Sequence, residues 1–234
     1  MDSSASPKNP LGFVGGTGPQ GRGLAVRFAQ AGHPVFIGSR NPEKAKKVVA
    51  SLDVDGLDIH GVTNVQACRE ARIVFITVPY QAQRETLQGL AEVIGRKVVV
   101  NCVNAVNFDE QGPLPGHVEA GSAAEECAQL LPDARIVSAF HDVSARRLLR
   151  TDEPITVDVL ICGDDEEAKL EVAHLASEIP GMWSVDCGAL RLSGPIEQMT
   201  PVLLSINRRY HINCGLRIDG IVRASDVDDP QASF

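Results

Sequence analysis

Near the start of the chain, Gly16-Thr17-Gly18-Pro19-Gln20-Gly21 has the G-x-G-x-x-G spacing of a phosphate cradle. Such a loop works through its backbone. Gly16 permits a tight turn, Gly18 lets N–H groups come up against a pyrophosphate, and Gly21 lets the next helix pack close to the preceding strand. A glycine-rich turn alone can serve no ligand at all. Here the apolar run Leu11 to Val14 reads as a strand directly before the loop and Gly21 to Ala31 as a helix directly after it, which is the context the chemistry needs. The second strand, Pro34 to Gly38, runs into Ser39 and Arg40. An NAD site usually places an acid at that strand end to accept ribose hydroxyls. The chain offers instead a hydroxyl, a guanidinium and, one helical turn onward, Lys44, a set suited to a 2′-phosphate, so NADP is the expected dinucleotide.

Few other side chains have the spacing of a catalytic device. Tyr80 and Tyr210 are followed at the Y-x-x-x-K offset by Arg84 and Cys214, so the short-chain dehydrogenase pair is missing. His33, His60, His117, His174 and His211 are scattered rather than set at ligand spacing. His141 differs, because it follows the strand Arg135 to Ala139 at the kind of strand end where α/β sheets bind ligands. A helix-capping or surface role would suit it equally. Just beyond it, Arg146, Arg147 and Arg150 form a basic cluster that reads either as an anion seat or as a solvated turn balanced by Asp152 and Glu153. Asp164, Asp165, Glu166 and Glu167 precede a helix and read as dipole-complementing caps, not as a metal site.

These groups must be positioned by a sheet. Short apolar runs alternate with helix-like stretches from Leu11 onward, the pattern of a Rossmann-type doubly wound parallel sheet with helices on both faces, and therefore of the α/β class. Asn41 caps a helix with Pro42 at its first position, running to about Leu52. Further strands are expected at Leu57 to Val62, Ile73 to Thr77 and Lys97 to Cys102, with a helix at Gln83 to Ile94. The Gly/Pro/acidic stretch Asn107 to Gly121 reads as a surface loop or lid. After Thr151 the pattern changes to a strand at Val157 to Cys162, a helix capped near Asp164, a short strand at Trp183 to Cys187, and an apolar helix from Pro195 to about Asn207. Pro201 is expected to kink that helix by freeing the Glu197 carbonyl. The domain reading is a dinucleotide-binding unit over residues 11–150 and a small C-terminal lobe over 151–222, with disordered tails at 1–10 and 223–234.

Composition agrees with an ordinary globular chain: 234 residues, 44% hydrophobic, with 22 Lys and Arg against 30 Asp and Glu. The net charge of -8 argues against nucleic acid or an anionic membrane as partner, so any anionic ligand must be held locally. The polar start of the chain and the shortness of its apolar runs point to a cytoplasmic protein. Six dispersed cysteines without a C-x-x-C pair read as small buried hydrophobes, so neither disulfides nor structural zinc are expected. The apolar stretch Val202 to Ile206 is a candidate contact for a homodimer.

Several segments, taken together and in order, are specific. G-G-T-G-P-Q-G-R-G-L-A, I-G-S-R-N-P-E-K-A, T-V-P-Y, G-S-A-A-E, S-A-F-H-D-V-S-A, L-I-C-G-D-D-E-E-A-K and E-Q-M-T-P-V-L-L-S-I-N resemble the NADPH-dependent F420 reductases (F420:NADP oxidoreductases), over about Leu11 to Ile221. The resemblance implies that Thr17 to Gln20, Ser39, Arg40 and Lys44 hold the NADP phosphates and adenosine ribose. Val78, Pro79, Tyr80, Val106 and Ala145 would line the nicotinamide half, with His141 in the deazaflavin pocket as a hydrogen-bond donor to the ring. The chain departs from the family at Asn104-Ala105, where members tend to have a V-P pair, and in the loop to Gly121.

The implied activity is hydride transfer between NADPH and the deazaflavin coenzyme F420. Both partners bring their own electronics, so the protein supplies proximity and water exclusion, with no nucleophile and no metal. F420 carries a phosphate and a tail of glutamates, for which Arg146, Arg147 and Arg150 are the dense local positive charge. Two other classes stay open. One is an NADPH-dependent reductase of a flavin, a chelated metal or a biosynthetic intermediate. The other is a non-catalytic NADPH sensor, which would show an exposed apolar patch.

Overall fold

The computed structural model describes residues 8–52, 54–221 and 223. Its first half alternates as the apolar runs predict. β1 (Leu11–Val14) leads into α1 (Pro19–Gln30), β2 (Val35–Ser39) into α2 (Pro42–Ala50), and β3 (Ile59–Thr63) into α3 (Asn64–Glu70). β4 (Ile73–Ile76) is followed by α4 (Tyr80–Gln88), the single turn α5 (Ala91–Ile94) and β5 (Val98–Asn101). The expected helix Gln83 to Ile94 is thus two helices, divided where Gly89 ends α4. Two short helices had no strong periodicity to announce them, α3 and the later α6 (Ala123–Leu130), although Thr63 and Ser122 cap them through their side chains.

The segment read as a surface loop is instead a hairpin, β6 (Val106–Asp109) and β7 (Gly112–Pro115), turned by Asp109, whose carboxylate accepts from the Gln111 and Gly112 amides. After α6 come β8 (Arg135–Ser138), α7 (Ala145–Leu148), β9 (Val157–Gly163), α8 (Glu166–Ser177) and β10 (Met182–Asp186). A 3-10 turn at Leu190–Leu192 then leads to α9 (Ser193–Glu197) and α10 (Met199–Tyr210). The apolar helix expected from Pro195 is broken, not bent. Pro201 has no N–H to give the Glu197 carbonyl, the chain breaks at Gln198, and the proline falls in the first turn of α10, where a missing donor costs little.

Eight strands form one sheet in the order β10-β9-β8-β5-β4-β1-β2-β3. All neighbours are parallel except β8 and β9. The six strands from β3 to β8 have the doubly wound order, with the crossover from β3 back to β4, on the other side of β1, opening a crevice at the carboxyl ends of β1 and β4. β9 and β10, assigned by sequence to the second lobe, extend this sheet at its edge. What stands off it is helical: α9 and α10. On one face Phe13, Phe28, Phe75 and Phe140 pack together, with Phe13 and Phe75 stacked at 4.7 Å. On the other, Ile76, Val99, Cys127 and Leu190 meet beneath α6. All six cysteines are free thiols.

Residues 8–10, read from sequence as part of a disordered tail, are tied down. Lys8 pairs with Glu178, and the Asn9 carbonyl meets His33 Nδ1. At the other end the Arg223 guanidinium is buried against the Asp158 carboxylate. The remaining tail positions lie outside the described residues. No helix among the described residues is long and apolar enough to cross a membrane. Val202 and Leu204, from the candidate dimer contact, are exposed on α10.

Candidate functional site

Two cavities meet at the carboxyl ends of the central strands. The first, about 520 Å³, is lined by Thr17, Gly18, Pro19, Gln20, Ser39, Arg40, Lys44, Val78, Pro79 and Tyr80, with Gly15, Asn64 and Asn104 among their neighbours. Its floor is the glycine loop. The positive φ belongs to Gly15 (φ +69), where an added Cβ would strike Val78, so the tight turn expected at Gly16 is made one residue earlier. Gly16 and Gly21 are glycines for packing reasons. A Cβ on Gly16 would lie 2.7 Å from Phe13, and one on Gly21 would lie 2.6 Å from the Gly16 Cα.

Gly18 differs from both. A Cβ there would find no protein atom nearer than the Gly15 carbonyl at 4.0 Å, so it projects into open cavity. Gly18 is also the N-cap of α1 and makes no side-chain cap, leaving the helix's first N–H groups to a ligand. Asn64 accepts from the Gly15 N–H at 3.1 Å and holds the loop open. At the end of β2, Ser39 accepts from the Asn41 N–H, and Arg40 and Lys44 lie exposed at the cavity with no ion pair among the described residues. Lys46 is spent on Glu43. An open backbone cradle with two unpaired cations beside it fits a dinucleotide carrying an extra phosphate.

The second cavity, about 800 Å³, shares Pro19, Gln20 and Asn104 with the first. His141, Asp142, Ala145 and Arg146 line one side of it. Thr200, Leu203, Leu204, Asn207, Arg208 and His211 of the α10 region line the other. The loop after β8 is under strain, since Phe140 has φ 62 without being glycine. Gln20 fixes it by donating to the Phe140 carbonyl at 2.7 Å. Asn104 sits at the seam, donating to the His141 carbonyl at 2.7 Å and accepting from Thr200 Oγ1 at 3.1 Å. Glu197, just before α10, accepts from the Ala123 and Ala124 amides and so anchors the α10 wall to the start of α6.

Two residues of this cavity's wall, His141 and Asp142, carry buried polar groups that are unsatisfied. Both ring nitrogens of His141 and both carboxyl oxygens of Asp142 are buried without a hydrogen-bond partner, the nearness of His141 to the Ala139 carbonyl and of Asp142 to its own amide falling outside hydrogen-bond geometry. Burial lowers His141 to about 4 and raises Asp142 to about 7. Native interiors rarely leave such groups unpaired.

The expected site residues therefore divide. Thr17 to Gln20, Ser39, Arg40, Lys44, Val78, Pro79 and Tyr80 gather at the first cavity, and His141 and Ala145 at the second. Val106, at the root of the hairpin, lines neither. The arginine cluster is split. Arg146 faces the second cavity, whereas the backbone carbonyls of Arg147 and Arg150 are taken by the buried Arg27 guanidinium, which pins the α7 turn against α1. In place of Arg147 and Arg150, Arg208 joins Arg146 at the cavity, and neither is in an ion pair among the described residues. Sequence reasoning missed Asp142, Asn64, Thr200 and Arg208. Asn104 it noticed only as an oddity.

A family model described as NADP oxidoreductase coenzyme F420-dependent matches residues 10–105. An F420-dependent NADP reductase of Methanothermobacter marburgensis is 38% identical over 220 residues, spanning 90% of this chain and 98% of that protein. Another of the same description from Methanocaldococcus jannaschii is 37% identical over 221 residues, again 90% and 98% of the two chains. Among solved structures, one described as an F420-dependent NADP-reductase from Arthrobacter sp. FB24 superposes with a TM-score of 0.80 at 22% identity, covering 90% of this chain and 99% of that one. At that identity the likeness speaks for the fold.

Proposed function

Because this chain belongs to the family of F420-dependent NADP reductases, and is an NADP(H)-linked oxidoreductase, we propose that it passes a hydride between NADPH and coenzyme F420. The observation that carries this reading is the pair of cavities joined at a single wall. In it, Gly18 and the first turn of α1 take the pyrophosphate, and Ser39, Arg40 and Lys44 take the 2′-phosphate. The nicotinamide half then lies past Val78, Pro79 and Tyr80, toward the seam at Asn104. The larger cavity beyond is roomy enough for a tricyclic ring, with Leu203 and Leu204 for its apolar body. Arg146 and Arg208 are the cations for a phosphate and carboxylate tail on a protein whose net charge is -8.

What the protein supplies is position. Two rings held face to face at near-attack distance need no covalent catalyst, because most of the barrier lost is entropic and solvent-related. The test is the fall in F420 absorbance on mixing with enzyme and NADPH, run beside FMN and FAD. Turnover with F420 alone is expected. Turnover with a flavin and not with F420 would transfer the reading to another acceptor, and NADPH binding without any turnover would make the chain a sensor.

A further inference from the structure

Reducing a deazaflavin takes more than a hydride. The ring gains a hydride at C5 and a proton at N1, and NADPH provides only the first. Resting on the F420 reading, we propose that Asp142 is the acid that supplies this proton. As the C4–H bond of the nicotinamide breaks and its electron pair goes to C5, the Asp142 O–H bond breaks and its proton passes to N1. The carboxylate left behind takes a proton from solvent. In the opposite direction the carboxylate removes the N1 proton while the hydride returns to NADP.

The geometry singles this residue out. Asp142 lines the acceptor cavity, is 5% exposed, and has neither oxygen paired, an arrangement that costs free energy in the absence of a ligand. The other buried acid of similar strength, Glu197, has both oxygens committed to the Ala123 and Ala124 amides and does not line the cavity. His141 is beside Asp142 but is held neutral far into the acid range, so it can bond to the acceptor without carrying a mobile proton. Its own backbone amide favours the carboxylate, but burial outweighs it and the neighbouring acids side with the protonated form. Asp158 of β9 faces Asp142, with its own charge answered by Arg223, and Cys187 after β10 is the other acidic neighbour. Arg146, Arg208 and His211 line the same cavity but stand among the exposed residues at its rim. Burial is the leading influence on Asp142, which titrates at about 7, where an acid can both give and regain a proton at neutral pH.

The experiment compares wild type with Asp142→Asn, which keeps the shape and removes the acid. Fluorescence titration should give unchanged affinities for F420 and NADPH. In single turnover at pH 7 the variant should transfer hydride about a hundredfold more slowly. The wild-type rate should fall as pH rises through about 7 and should slow in deuterated water, and both signatures should vanish in the variant. Infrared spectra of ligand-free protein carrying isotope-labelled aspartate should show one carboxyl titrating near 7 in wild type and missing in the variant, a readout independent of turnover. A variant that keeps the wild-type rate, pH limb and solvent isotope effect overturns the proposal while leaving the F420 reading intact. So does a wild-type spectrum in which every aspartate is ionised well below neutrality. Absence of any F420 reduction by wild type overturns the F420 reading and this one with it.

Discussion

The dinucleotide cavity and the acceptor cavity share a wall but are made by opposite means. The first is built of backbone and short-range geometry. Its floor, a strand, a turn with φ +69 at Gly15 and a helix start, lies within twenty residues between Leu11 and Gln30, and the walls are added by Ser39, Arg40 and Lys44, by Asn64, and by the strand-end segment Val78 to Tyr80. The second is built of side chains gathered from four distant segments: Gln20 at α1, Asn104 after β5, His141 to Arg146 after β8, and Thr200 to His211 on and just after α10. In the first, the unsatisfied groups are the N–H donors of a helix terminus, which water can satisfy. In the second they are a buried imidazole and a buried carboxyl, which water reaches poorly. On the proposed reading, a common cofactor is met by a largely local motif and its acceptor by long-range assembly.

That contrast can be broken most sharply at the glycine loop. Gly18→Val should leave the fold intact, because its Cβ meets no protein atom, yet lower NADPH affinity by roughly a thousandfold, about 4 kcal/mol. Gly21→Val, whose Cβ would collide with Gly16 and Thr77, should instead lose thermal stability. Calorimetric titration and thermal melts of both variants check the pair. If Gly18→Val binds NADPH normally, the open space at Gly18 is not where the pyrophosphate lies.

On the acceptor side the signature is pH dependence. His141 titrates at about 4 in the fold against an ordinary value of 6.5, so the unfolded chain binds the proton first as pH falls. The stability His141 confers is whole above 6.5 and is lost between 6.5 and about 4, amounting to about 3 kcal/mol. Denaturant melts of His141→Asn should lack this acid-side loss. Subtracting the two curves separates it from Asp142, whose raised value acts in the opposite direction. Parallel curves would mean that His141 is not held neutral.

Next in size comes the choice of dinucleotide. Arg40→Ala should weaken NADPH by about 1.5 to 3 kcal/mol and leave NADH nearly unchanged. An unaltered preference would place the 2′-phosphate elsewhere. The smallest effect belongs to the rim. Arg146→Ala with Arg208→Ala should weaken long-tailed F420 about fivefold at low salt, remove most of its salt dependence, and spare both NADPH and tail-less F420. An equal loss for both forms would leave these arginines as ordinary surface charge.

The same contrast explains what could be read from the sequence. The cradle was legible, because glycine spacing between an apolar run and a helix leaves few alternatives, and Asn41-Pro42 marked the start of α2 as closely as any structure could. The turn was displaced by one residue, since sequence does not say which of Gly15 and Gly16 takes the positive φ. The acceptor cavity was half legible. His141 was visible from its place after β8, but Asp142 beside it drew no attention, because nothing local reveals that a carboxyl will be buried without a partner. Arg208 was missed because the sequence, which does predict a bend at Pro201 to shape the wall of the site, ends that helix near Asn207, whereas α10 continues to Tyr210. Arg147 and Arg150, for which the sequence left an anion seat and a solvated turn both open, do not line the acceptor cavity, and their carbonyls are the landing points of Arg27.

The wall formed by Pro19, Gln20 and Asn104 has a stereochemical consequence. On the hydride-transfer reading, a nicotinamide ring lying in the first cavity would pass its hydride across that shared wall, and so from one of its two faces. The two hydrogens on its reactive carbon cease to be equivalent. A deuterium on the face turned toward Asn104 would leave at every turnover, and one on the other face would remain through repeated cycles of reduction and reoxidation.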